Sequence, residues 1–101
     1  MLQKIDLIGN LVADAEIRPG RDGGEYIAFR LAASEHAGEE KTTTYYEVNC
    51  SKSGVLEYLK KGVQVFVSGR LSLGVNVKDG KAYLNARVHA RDLILCSTPR
   101  Q

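Results

Sequence analysis

Apolar and polar residues alternate through most of this chain, which is the period of a half-buried β-strand. Ile27, Phe29 and Leu31 alternate with Ala28, Arg30 and Ala32, which predicts a strand with Arg30 pointing away from the core. A strand is predicted over about 44–50, with Val48 and Cys50 on one face and Tyr45, Glu47 and Asn49 on the other. Over 63–73, Val65, Val67 and Leu71 oppose Phe66, Ser68 and Arg70. Over about 82–95, Leu84, Ala86, Val88 and Ala90 oppose Tyr83, Asn85, Arg87, His89 and Arg91. The first strand, 4–12, takes its apolar content from Ile5, Leu7 and Ile8, and Gly9 marks a bend or a close backbone approach.

Turn formers separate these runs. The stretch from Pro19 to Gly24 reads as a loop, as does the polar stretch 35–43. Asp79-Gly80 is a two-residue hairpin signal. At 53–61 the period changes: Val55, Leu56 and Leu59 have helical spacing. Ser53 suits the N-cap, Lys60 and Lys61 suit the negative C-terminal end, and Gly62 suits the left-handed stop of a helix of about two turns. The order β-β-β-α-β-β predicts an all-β domain with one short helix. It is the order of the OB-fold, a five-stranded Greek-key barrel with a helix between strands three and four.

At 101 residues the chain fits one domain, read as 1–96 with a short C-terminal end at 97–101. Apolar residues make up 44% and charged residues 26%, which argues against disorder. The apolar runs are too short to span a bilayer and the N-terminus has no apolar h-region, so no membrane association and a cytoplasmic location are expected. The formal charge of +2 permits nucleic-acid binding only if the cations gather on one face. Cys50 and Cys96 read as free buried thiols, and with His36 and His89 they show no metal-ligand spacing. No phosphate-binding loop, metalloprotease motif or nucleophile–base pair is present, so no catalytic residue, cofactor or metal is expected.

Several stretches resemble bacterial single-stranded DNA-binding proteins. They are Gly9-Asn10-Leu11 with Asp14-Ala15-Glu16-Ile17-Arg18, Phe29-Arg30-Leu31 through Glu35, Val48-Asn49-Cys50, Glu57-Tyr58-Leu59-Lys60-Lys61-Gly62, and Val65 through Leu71. The resemblance covers roughly residues 3–95 and implies an OB-fold, homo-oligomerisation and sequence-independent binding of single-stranded DNA. It places the chain in replication, recombination or repair, cytoplasmic and nucleoid-associated. It also implies a homodimer or homotetramer whose first strand pairs across a two-fold axis. The chain departs from the family pattern. It has no Trp, and positions where the family carries stacking aromatics fall at Glu47, Ser53 and Asn76. The sequence stops without the family's acidic tail, so recruitment of repair proteins through a tail is not expected.

Single-strand binding needs cations for phosphates and flat faces for bases. Arg30, Arg70, Arg87 and Arg91 are the cations on polar strand faces, with His89 between the last two. Lys4 and Lys52 are weaker candidates. Tyr45 and Phe66 are candidate stacking residues; each can equally fill the barrel or an oligomer contact. Tyr46 shares parity with Val48 and is assigned to the core, Tyr58 to packing, and Tyr26 is open between these roles. The alternative function is a primosome-type adaptor or an OB-fold protein-interaction module with weak or no DNA binding.

Overall fold

The computed structural model describes residues 3–51 and 53–97. The candidate cation Lys52, the first two residues and positions 98–101 of the C-terminal end lie outside the described residues.

Among the described residues six strands form: β1 (Lys4–Leu11), β2 (Glu16–Pro19), β3 (Glu25–Ala37), β4 (Glu40–Ser51), β5 (Gln64–Lys78) and β6 (Lys81–Leu95). Their order is β1-β5-β6-β4-β3-β2, and Asn10 and Leu11 of β1 pair with Ala32 and Leu31 of β3. That last pairing closes β1, β5, β6, β4 and β3 into the five-stranded barrel expected from the sequence, with β2 added outside on β3. All pairings are antiparallel except β4 with β6. The inward residues of each strand fill the core. Ile27, Leu31, Leu59, Val65, Val67 and Val88 are wholly excluded from solvent, with Leu11 and Val48 nearly so.

The barrel closes where backbones touch. A Cβ at Gly9 would meet the Ala32 carbonyl oxygen at 2.6 Å, so the close approach read at this glycine is present between β1 and β3. The Asp79-Gly80 turn joins β5 and β6 directly, with φ of 53° and 76° at its two residues and Lys78 opposite Lys81. These are the positive angles of a type I′ hairpin.

The structure differs from the sequence reading in four places. First, 35–43 is not a loop. β3 and β4 continue as a paired arm to a turn at Gly38-Glu39, with Ser34 and Thr43 hydroxyls hydrogen-bonded at 3.0 Å. Both faces of that arm are polar because no core lies beneath it, so it carries no apolar period.

Second, the helix is a 3-10 segment of five residues, Gly54–Tyr58. The Ser53 hydroxyl does accept from the Val55 N–H at 3.5 Å. The chain then unwinds because tertiary partners take its backbone groups. The Leu59 carbonyl accepts from Ala15 N–H, Gly62 N–H donates to Leu11, and Leu11 N–H donates to Val63. Lys60 and Lys61 therefore lie beyond any helix end, and Tyr58 is 46% exposed, not packed.

Third, β2 occupies a stretch that the sequence left unassigned. Fourth, Cys96 is exposed; Cys50 is half-buried, and burial pushes its thiol above the ordinary value. Neither cysteine is in a disulfide.

Candidate nucleic-acid interface

Cross-strand partners share a face, so the registers place the outward side chains in rows across β1, β5, β6, β4, β3 and β2. One row runs Lys4, Arg70, His89, Asn49, Ala28, Glu16. The next runs Ser72, Arg87, Glu47, Arg30. Tyr45 and Ala32 begin a row beyond it, and Arg18, Tyr26 and Ser51 form one on the other side. Lys4, Arg18, Arg30, Arg70 and Arg87 thus gather on a continuous strand surface, with Glu16 and Glu47 among them and Asp6 and Asp92 at its border. The gathered arginines supply the cations that nucleic-acid binding requires.

Specific contacts organise this face. The Arg30 guanidinium carbon stands 4.9 Å from the centroid of the Tyr45 ring. This cation–π contact holds the two side chains together. Tyr45 remains 50% exposed, so one side of its ring is open to a flat ligand. Glu47 Oε2 lies 3.9 Å from Arg87 Nε, a loose pair in which both side chains are 65% exposed. At that exposure the pair contributes little to stability. His89 Nδ1 and Asn49 Oδ1 are 2.6 Å apart. Arg18 lies 3.6 Å from Glu16. A shallow concavity between β2 and β6 is lined by Arg18, Arg30 and Arg87 and, interspersed with them, by Asp14, Glu16 and Glu47.

Of the residues singled out from the sequence, Arg30, Tyr45, Arg70, Arg87 and His89 are brought together. Two are not. Arg91 was assigned to the Arg87–His89 face by strict alternation. However, Ser68 faces Asp92 and Gly69 faces Ala90, so Arg91 is an extra residue in a β-bulge. It leaves the row itself but stays beside it, lining a cleft with Lys4, Arg70 and Asp92. The bulge also turns Leu93 and Leu95 toward the core, which they contact as partly buried residues.

Phe66 points outward as expected, but its partners are Ile8 on β1 and Ile94 on β6. With these isoleucines 54% and 58% exposed, Phe66 belongs to an apolar row set apart from the arginines. Tyr46 packs against the core, as assigned.

Sequence reasoning missed Arg18 and Asn49 and left Tyr26 open. The alternation of Glu16, Ile17 and Arg18 was the signal for β2, but four residues between turn formers are a weak one. Among the described residues no helix is long and apolar enough to cross a membrane, and no three His, Cys, Asp or Glu side chains converge on a metal position.

Residues 2–96 match the family described as "Single-strand binding protein family". A single-stranded DNA-binding protein of Rhizobium meliloti (strain 1021) is 35% identical over 80 residues, covering 69% of this chain. The chain spans 46% of that relative's length. Single-stranded DNA-binding protein 1 of Xylella fastidiosa (strain 9a5c) is 30% identical over 102 residues, covering 91% of this chain and 75% of the relative. Among solved structures, a small single-stranded DNA-binding protein from Streptomyces coelicolor superposes with a TM-score of 0.76 at 23% identity. It covers 92% of this chain and 93% of its own. A Plasmodium falciparum SSB in complex with ssDNA superposes with a TM-score of 0.73 at 22% identity, covering 96% of each chain. At these identities the two structures establish a shared OB-fold.

Proposed function

Because this chain belongs to the single-strand binding protein family, we propose that it binds single-stranded DNA on the outward face of β3, β4, β6 and β5, accepting any sequence chiefly through phosphate contacts. The observation that carries this reading is the set of arginine rows around an open Tyr45 ring. Phosphates neutralise the cations, and a base stacked on Tyr45 replaces part of the stacking that it loses as a single strand. The role is binding without catalysis, in replication, recombination or repair. Fluorescence anisotropy with an oligomer and its duplex tests it: the single strand saturates at a much lower protein concentration than the duplex. Equal affinity for both contradicts a face built for unstacked bases.

We also propose that the protein self-associates through β1. From Lys4 to Gly9 this strand is paired only with β5, leaving its other edge unpaired by any described strand. An unpaired edge is a template for a second strand. The neighbouring row Ile8, Phe66 and Ile94 supplies exposed apolar surface of the kind that marks contacts between proteins. Light scattering at micromolar concentration is expected to return at least twice the chain mass, and a strictly monomeric mass contradicts this assignment.

The interaction-module reading draws on a different feature. On the β5–β6 arm, Leu73, Val75, Val77 and Leu84 share one face, and each is more than half exposed. A surface of this kind suits a protein partner and leaves the arginine rows free.

A further inference from the structure

Glu47 is the outward residue whose charge opposes a phosphate most directly. It is the cross-strand partner of both Arg30 and Arg87 and so stands at the centre of the cationic row. We infer that Glu47, together with Asn49, reads the edge of an unpaired base and makes this face prefer guanine to thymine at the nucleotide beside Tyr45. The inference deepens the single-strand reading above and rests on it.

Tyr45, Glu47 and Asn49 are alternate residues of β4 and point to the same side. Their spacing is two strand residues, roughly 7 Å. A base stacked on the open side of Tyr45 therefore lies within a glutamate side chain's reach of position 47. The Glu47 carboxylate accepts hydrogen bonds and cannot donate them when ionised. Its contact with Arg87 is long, at 3.9 Å, which leaves acceptor capacity on both oxygens. Asn49 is oriented by His89, whose Nδ1, in the tautomer that carries its proton there, donates to the Asn49 carbonyl oxygen at 2.6 Å. With that oxygen engaged, the Asn49 amide nitrogen is the group left to donate outward.

Two acceptors and an adjacent donor complement the pairing edge of guanine. Its N1–H and N2–H2 donate side by side to the carboxylate, and its O6 accepts from the amide. Unpaired bases present these edges to proteins. Thymine places a carbonyl oxygen on each side of its single N–H, so one of them must face the carboxylate. Cytosine and adenine each offer one amino group and rank between the two. Phosphates held by Arg30 and Arg87 would bring the strand across this row in any sequence, so the carboxylate changes preference without abolishing binding.

The test is a titration of oligo-dT, of the same oligomer carrying isolated guanines, and of one carrying inosine at those positions, against the unaltered chain and Glu47→Gln. The unaltered chain is expected to bind the guanine oligomer about fivefold more tightly than oligo-dT, the low end for a good paired contact. Inosine, which lacks the N2 amino group, falls between them. Glu47→Gln brings the ratio close to one while tightening oligo-dT binding, because Arg87 is released to a phosphate. Equal affinity of the unaltered chain for guanine and thymine oligomers overturns the inference, as does a preference that survives in Glu47→Gln or a tightening by that variant that is equal for all oligomers. Failure of the unaltered chain to bind any oligomer overturns the single-strand reading itself, which separates the two failures.

Discussion

Gly69→Ala is expected to destabilise the barrel by about 3 kcal/mol or more, the upper end for forcing volume into a packed site. A Cβ at this position would overlap the His89 carbonyl oxygen and meet the Ala90 Cα at 2.9 Å. Both are backbone atoms of β6, so no rotamer change relieves the clash. The strands must separate at the bulge, where Arg91 is already unopposed. For a domain of this size the loss lowers Tm by roughly 10 °C or more. Gly74, on the same strand but beyond the barrel, has nothing within 4 Å of its Cβ position. Gly74→Ala is expected to change stability by no more than about 0.5 kcal/mol, as surface substitutions usually do. Denaturant titration of the two variants checks the contrast. A Gly69→Ala protein as stable as Gly74→Ala would mean that β5 and β6 are not this close.

The second large effect is on binding. Arg30→Ala and Arg87→Ala are each expected to weaken single-stranded DNA binding about tenfold or more, the loss of one charge-assisted contact. Each should also reduce the slope of log K against log salt by roughly 0.7, the single-strand value per phosphate. Arg87→Ala is the more damaging because it leaves the Glu47 carboxylate without its partner, facing the strand. Tyr45→Ala removes a stacking surface worth about 1–3 kcal/mol per base and barely moves the slope. The Arg30–Tyr45 contact makes those two residues interdependent, so the double variant should lose less than the sum of the single losses. Arginine variants with unchanged affinity and slope would reduce the cationic face to solvated surface.

The barrel was legible because a strand with one buried face must alternate. Ile27, Phe29 and Leu31 on β3, and Val65 and Val67 on β5, announce their inward side without further context. Where no core lies beneath, as in the β3–β4 arm, alternation vanishes and the strand resembled a loop. The helix was misjudged for a different reason. Leu56 and Leu59 do face the core, but a segment this short is decided by partners from elsewhere, here the Leu11 and Ala15 backbones. The same limit applied to the site. Parity correctly turned Arg30, Arg70 and Arg87 outward, but it carried Arg91 across a bulge that no local signal marks. It gave Phe66 a side without revealing that Ile8 and Ile94 flank it. The charge reversal within the arginine row also emerges only when β3, β4 and β6 are aligned.

The central question is which surface touches DNA. Cross-linking a halogenated-uracil oligomer to the protein, then mapping the joined peptides by mass spectrometry, reads this directly. Cross-links concentrated at Tyr45 and Tyr26, and lost on adding salt, are the predicted result. Cross-links confined to Phe66, or to Tyr83 on the β5–β6 arm, would contradict it.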